Sequence, residues 1–110
     1  MSAYLFDIDG TLVKYHTNEW LPGAKELLEY LHNEGHQIIF TTMRGHHDDG
    51  KEWSIRNTEL LLDTLDVDFR ILYNVAGGRT LIDDNERSEF LHHPQNSPWT
   101  NKSLLNGVKK

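Results

Sequence analysis

Two pairs of aspartates stand at the ends of apolar segments and are the side chains best suited to chemistry: Asp7 with Asp9, and Asp83 with Asp84. If both segments are strands of one parallel sheet, their carboxyl ends meet at the edge where such sheets bind ligands. Four carboxylates at one edge repel one another unless protons or a metal ion neutralise them. The sequence therefore predicts a hard divalent cation with oxygen ligands, and Mg²⁺ fits best.

The segments that carry these aspartates predict an α/β fold. Residues 3–8 are apolar almost throughout and predict a central strand, and residues 38–42 predict a second buried strand. Residues 69–73 and 80–82 predict two shorter strands. Strands separated by helices in this order predict right-handed parallel crossovers, and hence a mostly parallel sheet flanked by helices.

Two helices are predicted between the strands. The first begins near Gly23, ends at Gly35, and has one apolar face made of Ala24, Leu27, Leu28 and Leu31. The second is predicted to run from Lys51 to Leu65, with an aspartate before it as N-cap, either Asp48 or Asp49. These helices would cover the faces of the sheet.

Length and composition limit the number of domains, the kinds of site and the kinds of partner that the sequence predicts. A chain of 110 residues predicts one domain, 1–110, with its core at about 3–90 and a loop or tail at 91–110. The chain has no cysteine, which excludes disulfides, thiolate zinc sites and cysteine nucleophiles. The net charge of -6 disfavours nucleic acid and anionic membranes, and no apolar run could span a bilayer. With no signal-like start, the prediction is a cytoplasmic protein.

A six-residue motif carries a resemblance to a known family. Residues 7–12, Asp-Ile-Asp-Gly-Thr-Leu, resemble the first signature of the haloacid dehalogenase (HAD) superfamily of phosphatases. Thr42 with Arg44, after a predicted strand, and the acidic pair 83–84 resemble later signatures in the same order. The resemblance covers roughly residues 3–85 and implies a single Rossmann-like, HAD-like domain.

The resemblance implies a Mg²⁺-dependent phosphatase, a hydrolase of phosphoric monoesters with a covalent intermediate. Asp7 would attack phosphorus and form an aspartyl-phosphate, which water then hydrolyses. Asp9 would protonate the leaving group and then deprotonate the water. Mg²⁺ would be held by the Asp7 side chain, the Asp9 carbonyl and Asp83, with Asp84 assisting.

Other residues are predicted to bind the phosphoryl group. Gly10 permits a sharp turn, and free N–H groups near Thr11 together with the Thr42 hydroxyl would hold the phosphoryl oxygens. The lysine that the family places before the final acidic pair is missing here. Arg79 is the nearest preceding cation, and Lys51 at the start of the second predicted helix is its rival. Both stay open on the sequence alone.

Residues 45–51, in the loop after the second predicted strand, also match most of the sequence pattern of a phosphate-binding P-loop. This interpretation fails because Glu52 stands where a Ser or Thr metal ligand is required. Two carboxylates inside the loop would also oppose a triphosphate.

The spacing between motifs leaves no room for a lid, so the enzyme is predicted to be capless. Its substrate would be a sugar phosphate, a nucleotide or another phosphorylated metabolite, with a nucleic-acid end disfavoured by the acidic charge. A homo-oligomer would cover the open site, and four residues could flank it: Tyr15, His16, Trp20 and Arg44. The alternatives are a phosphoryl-accepting signalling or binding module and a catalytically degenerate HAD-like interaction subunit.

Overall fold

The computed structural model describes residues 1–15, 17–45, 54–84, 93 and 95–100. Within them the elements follow in the order β1 (Ala3–Phe6), α1 (Ala24–Asn33), β2 (Gln37–Thr41), α2 (Ile55–Leu62) and β3 (Arg70–Leu72). The described strands form one sheet in the order β1-β2-β3, and both pairings are parallel. The prediction of an α/β fold with a parallel sheet and helices is confirmed.

Strand β2 lies between β1 and β3 and forms the centre of the described sheet. Its side chains Ile38 and Phe40 are fully buried, as expected of a strand covered on its faces. In the register of the sheet, Phe6 at the end of β1 pairs with Phe40. The residues that follow these two positions, Asp7 on one side and Thr41 with Thr42 on the other, therefore lie at the same edge of the sheet.

Helix α1 follows the predicted pattern closely. Its buried residues are those of the predicted apolar face, Ala24, Leu27, Leu28 and Leu31. At its end Gly35 has a φ of 84°. The N–H of Gly35 donates to the His32 carbonyl at 3.0 Å, and the N–H of His36 donates to the Leu31 carbonyl at 3.0 Å. These two bonds form a Schellman motif, for which glycine in the left-handed region is favoured.

Helix α2 begins later than predicted because Ser54 is its N-cap. The Ser54 hydroxyl accepts a hydrogen bond from the Asn57 N–H at 3.0 Å, which satisfies a helix-end donor. The predicted start at Lys51 and the predicted cap at Asp48 or Asp49 are therefore wrong, and those three residues lie outside the described residues. Neither described helix is long and apolar enough to cross a membrane.

Two predicted strands differ from the structure. The first segment ends as a strand at Phe6 and lies at an edge of the described sheet, where Leu5 is 49% exposed. Residues 80–82, predicted as a strand, have no regular structure, and Ile82 is 93% exposed. Apolar composition indicates that a segment can enter a sheet, but a strand forms only where the segment finds a neighbour to pair with.

The core extends into the segment that the sequence assigned to the tail. Trp99 is 8% exposed and packs edge-on against Phe6, with 6.0 Å between ring centroids. Its indole N–H donates to the Thr11 carbonyl at 2.6 Å, and its backbone N–H donates to the Pro22 carbonyl at 2.7 Å. Trp99 therefore connects the segment 95–100 with the turn that follows β1 through ring packing and hydrogen bonds.

Candidate active site

A tight turn after β1 carries the first two aspartates. The Ile8 carbonyl accepts from the N–H groups of Thr11 at 3.2 Å, Leu12 at 2.9 Å and Val13 at 3.2 Å. The Gly10 N–H donates to the Val13 carbonyl at 2.9 Å. These N–H groups are satisfied inside the turn, so the prediction that they are free to hold phosphoryl oxygens is wrong.

Gly10 is required in this turn for two reasons. Its φ of 80° lies in the left-handed region, where a side chain is strained. A Cβ at this position would also lie 3.1 Å from Cδ2 of Tyr15. Tyr15 thus lies next to the turn and is half exposed, Trp20 is partly buried against the core, and His16 lies outside the described residues.

Asp7 lies at the end of β1 with its carboxylate between two donors. The Thr11 hydroxyl donates to Oδ2 at 3.4 Å, and Arg79 Nη1 donates to Oδ1 at 3.1 Å. Burial raises the pKa of Asp7 above 3.8, and the neighbouring Asp9 also raises it. The Arg79 charge and hydrogen bonds from Ile8 and Thr11 lower this pKa, but burial outweighs them.

Arg79 is the cation that the described residues place at Asp7. Its Nη2 donates to the Val75 carbonyl at 3.0 Å, which fixes the guanidinium on the loop after β3. Its Nε is buried and has no hydrogen-bond partner among the described residues. The rival, Lys51, lies outside the described residues. The structure therefore brings a positive charge to Asp7 from a position 72 residues further along the chain.

Asp9 forms a second ion pair, with Arg44. Arg44 Nε donates to Oδ2 of Asp9 at 2.9 Å, and Nη2 donates to Oδ1 at 2.8 Å. This two-pronged geometry matches the planes of the guanidinium and the carboxylate. From sequence, Arg44 was predicted to follow Thr42 in a family signature and to flank the site, and its position just beyond the buried end of β2 was the signal that it could be enclosed.

Further bonds enclose Arg44. Its Nη1 donates to the Thr58 hydroxyl on α2 at 3.2 Å, and Nη2 also donates to the Thr17 carbonyl at 2.9 Å. The Arg44 backbone N–H donates to the Thr42 hydroxyl at 3.0 Å. Thr42 itself is fully buried. It therefore supports the Arg44 backbone and is not presented to a phosphoryl group as predicted.

The predicted magnesium ligands are not assembled in the described structure. Asp83 and Asp84 are both exposed. Among the described residues, no group of three or more His, Asp or Glu side chains could hold a metal ion. The carboxylates of Asp7 and Asp9 each face an arginine instead. Among the described residues Asp7 and Asp9 are thus paired with cations, and the steps derived below are assigned to protein side chains alone.

The segment that holds both aspartates matches a known family. Residues 4–51 match the family model described as haloacid dehalogenase-like hydrolase. The match covers less than half of the chain and includes most of β1, the turn with Asp7 and Asp9, helix α1, strand β2 and Arg44. The parallel α/β fold of the described residues is consistent with this likeness. No curated protein and no solved structure gave a significant match.

Proposed function

We propose that this protein is a phosphomonoester hydrolase in which Asp7 accepts the phosphoryl group. One observation carries the proposal: the Asp7 carboxylate, at the ligand-binding edge of a parallel sheet, lies 3.1 Å from the Arg79 guanidinium. A carboxylate that attacks a phosphate ester must approach another anion. The nearby guanidinium reduces that repulsion and can stabilise the charge on the phosphoryl oxygens.

The reaction proceeds in two steps. An Asp7 oxygen forms a bond to phosphorus while the bond to the leaving oxygen breaks, and Asp9 gives that oxygen a proton. Asp9 then removes a proton from water, whose oxygen attacks phosphorus and releases inorganic phosphate and the Asp7 carboxylate. The Arg79 guanidinium remains protonated throughout and faces the transferring group.

The substrate class is a phosphorylated metabolite, such as a sugar phosphate or a nucleotide, acted on in the cytoplasm. The net charge of -6 supports a small substrate over the end of a nucleic acid. A second copy of the chain is proposed to cover the open site. Phosphatase activity is therefore best sought with a panel of small monoesters.

A Mg²⁺ requirement is part of the proposal because HAD enzymes generally use this ion. Its ligands would be the Asp7 carboxylate, the Asp9 carbonyl and Asp83, with Asp84 assisting. Assays with added Mg²⁺ and with a chelator test this requirement. Equal turnover under the two conditions would contradict it.

The central test is the substitution Asp7→Asn. The wild-type protein should hydrolyse an aryl phosphate, and Asp7→Asn should lower kcat at least ~10³-fold because an amide is a poor nucleophile. Asp66→Asn, at an exposed aspartate outside the site, is the matched control and should keep full activity. Full activity of Asp7→Asn would contradict the proposal. A stable phosphoprotein formed from acetyl phosphate without release would favour the phosphoryl-accepting module.

A further inference from the structure

The two members of the Asp9–Arg44 pair differ in their access to solvent. The Arg44 side chain is 1% exposed, whereas the Asp9 side chain is 25% exposed. The guanidinium thus lies behind the carboxylate, on the protein side. A ligand that reaches Asp9 from solvent does not have to displace Arg44, and Arg44 is not placed to contact that ligand.

Hydrogen bonds connect Arg44, the partner of Asp9, with several other parts of the fold. Besides the two bonds to Asp9, the guanidinium donates to Thr58 on α2 and to the Thr17 carbonyl. The Arg44 N–H is held by Thr42, and the Arg44 carbonyl accepts from Asn74 N–H at 2.8 Å. Because the bonds fix the guanidinium plane, they also fix the plane of the Asp9 carboxylate.

We propose that Arg44 is a positioning residue that orients the Asp9 carboxylate for proton transfer at the ester oxygen. This inference rests on the proposed phosphatase activity. In the first step the proton moves from Asp9 to the leaving oxygen as the P–O bond breaks, and in the second Asp9 recovers a proton from water. Arg44 keeps all of its own protons and acts only through Asp9.

A purely structural ion pair is the alternative role for Arg44, and the leaving group separates the two. Protonation matters for an alkoxide, which leaves poorly, and hardly matters for a dinitrophenolate, which leaves readily as an anion. A positioning residue for the proton donor should therefore affect alkyl esters selectively. A residue that only stabilises the fold should affect both esters alike.

The experiment compares Arg44→Lys with the wild-type protein on a simple alkyl phosphate and on 2,4-dinitrophenyl phosphate. Lysine keeps the charge but cannot form the two-pronged contact. We expect kcat/KM to fall about 10²-fold for the alkyl ester and less than ~3-fold for the aryl ester, as for lost general-acid catalysis. In an Asp9→Asn background, Arg44→Lys should cause no further selective loss, because both changes remove the same proton transfer.

Each outcome decides a different claim. An equal loss on both esters, or the same additional loss in the Asp9→Asn background, would overturn the role of Arg44 while leaving the phosphatase proposal intact. Absence of turnover by the wild-type protein on both esters would overturn the phosphatase proposal and this role with it. If Arg44→Lys does not fold by circular dichroism, Thr58→Val removes one guanidinium contact and should give a smaller loss confined to the alkyl ester.

Discussion

The two aspartate–arginine pairs of this protein have the same chemistry but different construction. Asp9 and Arg44 share two bonds of 2.8 and 2.9 Å, and the arginine is enclosed. Asp7 and Arg79 share one bond of 3.1 Å, with side chains that are 34% and 25% exposed. The first pair fixes a carboxylate in one orientation. The second leaves both partners accessible to an incoming anion.

The difference follows from the segments that carry the arginines. Arg44 comes directly after the central strand β2, and the backbone around it is joined to the segment after β3. Asn74 N–H donates to the Arg44 carbonyl at 2.8 Å, and Val75 N–H donates to the Thr42 carbonyl at 2.8 Å. Arg79 lies further along, in a segment without regular structure. A strand end therefore positions one cation tightly, and a loop positions the other loosely.

The largest expected effect is on stability, when each arginine is replaced by methionine. Arg44→Met should lower the free energy of unfolding by about 3–5 kcal/mol, because it leaves the Asp9 charge without its enclosed partner. Arg79→Met should change it by less than ~1 kcal/mol, since that pair is partly solvated. Urea denaturation of both variants measures the difference. Equal losses would show that the two pairs are not distinct.

Arg79, which is expected to contribute little to stability, should contribute strongly to activity. Arg79→Ala should lower kcat/KM for an aryl phosphate about 10²-fold, because a donor to the transferring group is lost. Arg79→Lys should recover part of the loss, since the charge returns with a different geometry. Arg56→Ala, at an exposed arginine on α2, is the control and should leave kcat/KM unchanged. Unchanged turnover by Arg79→Ala would show that Arg79 does not stabilise the transferring phosphoryl group.

The sequence predicted the local parts of the site and offered Arg79 as one of two candidate cations, but it missed the pairing of Asp9 with Arg44. The motif that contains Asp7, Asp9 and Gly10 specifies a strand end and a tight turn, and both form from neighbouring residues. The pairing of Asp9 with Arg44 depends on how two strands are placed side by side, so spacing along the chain does not show it. The Thr42 hydroxyl was predicted to hold phosphoryl oxygens because its burial could not be read from the sequence.

Trp99 was missed for a similar reason. It stands alone between Pro98 and Thr100, without the periodic apolar neighbours that mark a buried segment. Its burial comes from contacts with Phe6 and Thr11, far earlier in the chain. Residues 80–82 show the opposite error, because their composition predicted a strand that has no partner among the described residues.

A smaller effect is expected at the turn that Trp99 fastens. Trp99→Phe keeps an aromatic ring against Phe6 but removes the indole N–H that donates to the Thr11 carbonyl. The free energy of unfolding should fall by about 1 kcal/mol. Because Thr11 also donates to Asp7, turnover of an aryl phosphate should fall a few-fold. This loss is smaller than the loss expected when a proton donor is removed. A change in activity without any change in stability would contradict this bracing role.

The smallest expected effect concerns the charge of Asp7 in the folded state. Burial raises the pKa of Asp7 above 3.8, so the folded protein binds this proton more tightly than the unfolded chain does. Ionised Asp7 therefore costs stability at neutral pH, and this cost disappears as the pH falls below the unfolded value near 3.8. Asp7→Asn should be more stable than the wild-type protein at pH 7, and the gain should vanish in acid.

Unfolding by urea at several pH values measures this gain, and Arg79→Met sharpens the test. Because the Arg79 charge lowers the pKa of Asp7, its removal should raise that pKa further and extend the cost of ionisation to higher pH. An Asp7→Asn variant less stable than wild type at pH 7 would contradict the argument. A gain would instead show that the Asp7 charge weakens the fold, as expected of a carboxylate placed to react with a ligand.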